Sequence, residues 1–259
     1  MLGAIAGDII GSIYEGAGPT SPGFELFRAS SRFTDDTVMT VAIAEAILHG
    51  SEYGSALRHW GRRYPNAGYG GWFRSWLSSP DSGPYNSFGN GSAMRVAAVG
   101  WAWDGLSDVM VEARRTAEVT HNHPEGVKGA QAVAATVLLA RMGVDKAAIR
   151  RFLEETFGYN CSETMPELRT RHHFDVTCQG TVPTAAVAFL CSANFEEAVR
   201  NAVSLGGDAD TQGCIAGAMA EAFYIGVPFA IRGEVLRRLD SPLRSVAERF
   251  VERYRVPLP

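Results

Sequence analysis

Cysteine is scarce, four in 259 residues. Cys161, Cys178, Cys191 and Cys214 form no Cys-x-x-Cys pair, and the last two fall in apolar, helix-like stretches where a reduced thiol packs as a small hydrophobe. This argues against a disulfide framework and for a reducing, cytoplasmic compartment. Excess charge is missing as well. A net charge of −4 gives no general attraction for nucleic acid or for an anionic membrane surface. Long hydrophobic runs are absent: no segment approaches the roughly 20 apolar residues that cross a bilayer. The apolar start Met1 to Gly7 lacks a basic n-region and is followed by Asp8 and Glu15, so neither a targeting peptide nor a membrane span is expected. Alternating strands with hairpin turns, fixed-period repeats and inter-domain linkers are also wanting. What remains is a chain with 46% hydrophobic residues in long Ala-rich helical patterns, read as all-α and as one domain over residues 1–259.

Against that background one stretch stands out. Gly206-Gly207-Asp208-Ala209-Asp210-Thr211 places two carboxylates and a hydroxyl at the start of an apolar helix. An N-cap explains one such residue and not three. The pattern occurs again at Thr34-Asp35-Asp36-Thr37, ahead of the apolar run Val38 to Leu48. Two acidic helix starts suggest one shared centre. Their oxygen-only donors suit Mg²⁺ or Mn²⁺ better than zinc or copper, and four gathered carboxylates repel unless cations neutralise them. Two such ions could orient a water and stabilise charge that develops during a displacement.

The rest of the chain frames this centre. Gly3, Gly7 and Gly11 line one face of a helix read over 3–15, with Asp8, Ser12 and Glu15 close together on another face. The helix from Val38 is apolar nearly all round and should stop at Gly50. Helices are expected over 53–64 and 71–78, with Trp60, Trp72, Phe73 and Trp76 as packing anchors. Gly89-Asn90-Gly91-Ser92-Ala93-Met94-Arg95 reads as a small-residue loop entering a helix, whose N–H groups could receive a phosphate. Ser107 is read as the cap of a helix over 108–120, and Pro124 as the opening of the next, which runs to Arg141. His121 and His123 lie between these two; with no Cys or third His spaced to complete a set, they do not argue for zinc. Helices are further expected over 145–157, 183–192, 195–205, 235–239 and 241–254, with 158–178 irregular.

Taken together, Gly7-Asp8-x-x-Gly11-x-x-x-Glu15, Thr34-Asp35-Asp36-Thr37, Gly89 to Arg95, Thr120-His121-Asn122-His123-Pro124 and Gly206 to Thr211 resemble the motifs of the ADP-ribosylglycohydrolase family, in the family's order and over nearly the whole chain. The resemblance implies a single-domain, orthogonal multi-helix bundle with two Mg²⁺ or Mn²⁺ ions in a cleft. It also implies hydrolysis of the bond joining ADP-ribose to an acceptor, either a protein side chain or a small molecule. It assigns Thr34, Asp35, Asp36, Asp208, Asp210 and Thr211 to the metals and Glu15 to catalysis. Asn90, Gly91, Ser92, Met94, Arg95 and His121 go to the substrate, with Arg95 either assisting the diphosphate or only bracing the loop. Ala209 stands where relatives often carry Thr or Ser. Two alternatives are a crystallin-like relative that binds without catalysis and a metal-dependent hydrolase of another nucleotide or phosphoester. The acceptor stays open.

Overall fold

The computed structural model describes residues 1–16, 18–19 and 21–257. Among them all regular structure is helical. The elements are α1 (Leu2–Gly11), α2 (Asp35–His49), α3 (Tyr53–Arg63), α4 (Gly71–Ser78), α5 (Gly91–Met94), α6 (Ala97–Ala102), α7 (Leu106–Glu118), α8 (Pro124–Arg141), α9 (Lys146–Phe157), α10 (Met165–Arg171), α11 (Cys178–Leu190), α12 (Phe195–Val203), α13 (Ala209–Phe223), α14 (Phe229–Arg238) and α15 (Ser241–Arg253).

The centre of this bundle is a pair. α1 is buried along its whole length, α13 is buried along nearly all of its own, and the two pack most extensively on each other. Glycine permits it. A Cβ at Gly7 would lie 1.9 Å from the carbonyl oxygen of Gly213, and one at Gly3 would lie 2.2 Å from that of Gly217, so the two backbones touch where side chains would hold them apart. α13 also caps α1. Glu221 of α13 accepts from the N–H groups of Leu2 (3.1 Å) and Gly3 (2.9 Å), which lack partners within α1. α2, α8 and α11, apolar nearly all round, complete the interior, whereas α3, α7, α9, α12 and α15 turn one apolar face inward.

α2 ends as expected, with Gly50 left-handed at φ 63°. Other boundaries differ from the sequence reading. α1 stops at Gly11, so Glu15 lies in the turn beyond it and does not share a helical face with Asp8. α7 starts after Gly105 without a side-chain cap, and Ser107 lies inside it. α11 begins at Cys178 under a cap from Thr177 to the Gly180 N–H (3.1 Å), and Pro183 is internal to it. The expected start at 183 is therefore five residues late, because the Thr177 cap starts the helix before the proline. α10 lies in the stretch read as irregular, held by a reciprocal Thr164–Glu167 capping box. α14 starts at Phe229, six residues before the expected Val235.

Candidate metal and substrate cleft

The two acidic starts meet. Oxygen atoms of Asp36 at the head of α2, Asp210 at the head of α13 and Asp8 of α1 lie within 4.8 Å of one another, all three side chains buried. Asp208 and Thr211 are buried beside them, and Asp35 is half-buried. Thr211 Oγ1 lies 3.3 Å from Asp36 Oδ2, which ties the two helix heads directly.

Asp8 is part of this group although the sequence reading gave it no place in the metal set. Its oxygens accept from the N–H of Thr34 (2.9 Å) and Thr37 (3.0 Å) and from their hydroxyls at 2.7 and 2.5 Å. A carboxylate of α1 thus caps the first turn of α2, and so orients the oxygen-rich segment Thr34 to Asp36. The signal was present as an acidic residue inside a glycine-seamed, otherwise apolar helix, where a buried charge needs several donors. Thr34 is itself the N-cap of α2, accepting from Asp36 N at 3.3 Å. Asp208 stands at the N-cap position of α13 yet caps nothing: its Oδ2 accepts from Asn90 Nδ2 at 2.5 Å, and that amide also reaches Thr181 Oγ1 at 2.9 Å.

Burial in company with other carboxylates disfavours the charged form of these groups. Burial first, then Asp210, raises Asp8 to about 7; burial, then Asp8 and Asp210, raises Asp35 to about 7. Asp36 and Asp210 are pushed well above the ordinary carboxylate range, and Asp208 is raised too, in each case chiefly by burial. Asp36 Oδ1 is buried with no hydrogen-bond partner. A crowd of oxygen donors that repel one another, one of them orphaned, fits a hard divalent cation, and Thr34, Asp35, Asp36, Asp208, Asp210 and Thr211 could hold it.

These residues floor a cleft of about 450 Å³ lined also by Glu15, Asn90, Gly91, Met94, Arg95 and His121, within the size range of small-molecule sites. Glu15 is exposed at its mouth, in a turn clamped to the approach of α13: Gly16 donates to the Gly207 carbonyl at 2.7 Å and Gly207 donates back at 3.0 Å. Both Gly206 (φ 73°) and Gly207 (φ 66°) are left-handed, which explains the pair. The Gly89 to Arg95 segment is held by a second bridge, Asn90 N to Val176 O (2.8 Å) and Cys178 N to Phe88 O (2.9 Å). Gly89 N is spent on Ser87 Oγ (3.1 Å); Gly91 lines the cleft, whereas Ser92 is fully buried. α5 is a single turn, so any attraction for phosphate rests on the Gly91 N–H and not on a macrodipole.

Two side chains assigned to substrate make hydrogen bonds in the interior. The Ser92 hydroxyl donates to Gly126 O at 2.7 Å in the interior. Arg95 is buried, and its Nη2 holds Thr116 O (2.8 Å) and Thr120 Oγ1 (2.9 Å), which favours the bracing role over direct contact by that nitrogen. His123 caps α8 through Nδ1, which accepts from Glu125 N at 3.1 Å. Trp72 was read as a packing anchor alongside Trp60, Phe73 and Trp76, but it is 77% exposed. It stacks at 6.4 Å and 18° on Tyr85, and both line the cleft. Its neighbours on α4, Phe73 and Trp76, are buried; Trp72 is the second residue of the helix and stands clear of the core, a distinction apolarity alone does not make.

Comparison with known proteins agrees with this geometry. The family model for ADP-ribosylglycohydrolase matches residues 1–258. The chain is 27% identical to the ADP-ribosylhydrolase ARH3 of Bos taurus over 86% of this chain and 83% of the relative. It is 28% identical to the ADP-ribosylarginine hydrolase of Pseudomonas putida (strain GB-1) over 86% of this chain and 69% of that protein. A solved structure described as an ADP-ribosylglycohydrolase-related protein complex superposes with a TM-score of 0.75 at 27% identity, covering 99% of this chain and 96% of the other. The chain belongs to the ADP-ribosylglycohydrolase family, whose members are glycosyl hydrolases.

Proposed function

We propose that this chain, working as one unit, hydrolyses the glycosidic bond between ADP-ribose and an acceptor with two Mg²⁺ or Mn²⁺ ions held by Thr34, Asp35, Asp36, Asp208, Asp210 and Thr211. The observation that carries the reading is the meeting of two acidic helix heads at the floor of a single cleft, with raised carboxyl pKa values and an orphaned Asp36 oxygen. Bound divalent ions would supply Lewis acidity toward water and sugar hydroxyls.

The chain's own residues divide the remaining work. Asp8 holds the head of α2 in place through its four accepted hydrogen bonds. Asn90 Nδ2, braced by Thr181, fixes the orientation of the Asp208 carboxylate. Gly91 offers its backbone N–H to the diphosphate, with Met94 and His121 against the substrate. Glu15, clamped at the mouth by the Gly16–Gly207 bridge, orients the attacking water and accepts its proton. The printed names of the relatives include one hydrolase of ADP-ribosylarginine, which makes an arginine side chain one acceptor to test. The four free cysteines suit a reducing cytoplasm.

The experiment is single-turnover hydrolysis of ADP-ribosyl-arginine, ADP-ribosyl-serine and O-acetyl-ADP-ribose by wild type and Glu15→Gln, with metal and ADP-ribose affinity measured on the same samples. Loss of about 10²- to 10⁴-fold in rate at near-normal affinity is expected of the variant. A wild-type rate in that variant removes Glu15 from the chemistry, and a metal stoichiometry of zero removes the centre.

A further inference from the structure

Beside the metal floor, a short chain of hydrogen bonds runs through the wall of the cleft. Arg95 Nη2 donates to Thr120 Oγ1 at 2.9 Å, and Thr120 Oγ1 lies 2.7 Å from His121 Nδ1. Arg95 and Thr120 are sealed from solvent, and His121 nearly so. A guanidinium only donates, so the Thr120 oxygen is an acceptor toward Arg95. The hydroxyl proton then needs an acceptor of its own in a site this deeply buried, and the Nδ1 lone pair lies at the right distance. The opposite arrangement would set a second donor, Nδ1–H, on an oxygen that already serves a cation, and would send the hydroxyl proton toward the Tyr85 phenol, the competing neighbour.

We infer that Arg95 and Thr120 are positioning residues that hold His121 in its neutral Nε2–H tautomer, so that the cleft meets one imidazole N–H donor above the Gly89 to Gly91 loop. The direction of that donor follows from the packing: a Cβ at Gly91 would stand 3.1 Å from Nε2 and one at Gly89 3.7 Å. Those glycines leave open the space into which Nε2–H points. Burial, then the charge of Arg95, also pushes the His121 imidazolium well below its usual range, so the ring does not add a second donor near neutral pH. The group this donor suits is an anionic oxygen at the Gly91 N–H, for which a diphosphate oxygen is the candidate. That last identification rests on the proposed function; the tautomer does not.

The test reads the ring directly. In protein labelled with ¹⁵N-histidine, the His121 signals, assigned by their loss in His121→Gln, should show protonated Nε2 and bare Nδ1 with no ligand present. Thr120→Val keeps the shape and removes the hydroxyl; it should mix the tautomers and weaken ADP-ribose binding roughly three- to tenfold, with Thr120→Ser restoring both. Tyr85→Phe should leave the tautomer unchanged. A protonated Nδ1, a cationic ring at pH 7, or a Thr120→Val ring indistinguishable from wild type would each overturn the inference. Wild-type protein that shows the expected ring yet binds no ADP-ribose would overturn the proposed ligand and leave the tautomer standing.

Discussion

Replacing Gly7 by Ala probes the close approach of α1 to α13. The added Cβ would lie 1.9 Å from Gly213 O, 2.1 Å from Gly213 C and 2.6 Å from Cys214 N, all backbone atoms of α13. Ordinary contact begins near 3.4 Å, so the helices must part by about 3.4 − 1.9 = 1.5 Å at this point, since no flexible side-chain end can retreat. Alanine's better helix propensity returns about 1 kcal/mol. Overpacking against a rigid partner costs typically 1–3 kcal/mol and more when backbone must move, so a net loss on the order of 2–3 kcal/mol is expected, roughly 4–12 °C in Tm. The same displacement carries Asp8 away from Asp210, which lie together in the oxygen cluster, and should lower Mn²⁺ affinity at least about tenfold. Differential scanning calorimetry and calorimetric Mn²⁺ titration measure the two effects. Gly233→Ala is the control: it lies inside α14 with nothing within 4 Å of its Cβ position and should be neutral or stabilising. A Gly7→Ala protein as stable as wild type, with unchanged Mn²⁺ affinity, would refute the argument that glycine contact sets the metal geometry.

Further outcomes follow from the same structure. In divalent-free buffer, Asp8 and Asp35, raised from 3.8 to about 7, make the folded state bind more protons than the unfolded one. Their stabilisation is present below about pH 4 and is lost as pH rises toward about 7, so apo Tm should fall between about pH 5 and 7.5 and Mg²⁺ or Mn²⁺ should restore it; an apo Tm that climbs over that window contradicts the shifts. Lys146→Met removes a cation whose Nζ holds the last carbonyls of α11 at Phe189 (2.9 Å) and Leu190 (3.3 Å) and the Tyr224 hydroxyl (2.7 Å), and should cost about 2 kcal/mol in urea unfolding. An unchanged urea midpoint would show that cap to be idle. Gly91→Val places bulk against His121 Nε2, and should weaken ADP-ribose binding tenfold or more by calorimetry while metal stoichiometry stays intact. Normal affinity there would move the diphosphate to another part of the cleft.

Much of this molecule is legible along the chain because its information is local. Ala-rich apolar runs announce buried helices, Gly50 announces a stop through its left-handed backbone, and two Asp-rich helix starts announce hard-cation chemistry through donor type alone. The boundaries that went astray at α7, α10, α11 and α14 are those where competing local signals, a proline, a serine or a capping box, carry comparable energies of about 1 kcal/mol. What the linear order could not supply is which groups meet. Asp8 looks like a lone polar residue until α1 settles against α2 and α13 and its carboxylate becomes the cap of a neighbouring helix. Glu15 leaves its expected helical face and reaches the cleft mouth through a backbone bridge to Gly207, far away in sequence. Ser92 and Arg95 share a motif with Asn90 and Gly91, yet the Ser92 hydroxyl and the Arg95 Nη2 are drawn inward by Gly126, Thr116 and Thr120. Hydrogen bonds and helix crossings between distant segments decide these positions, because a buried polar group takes its role from the partners that folding delivers to it and not from its neighbours in the chain.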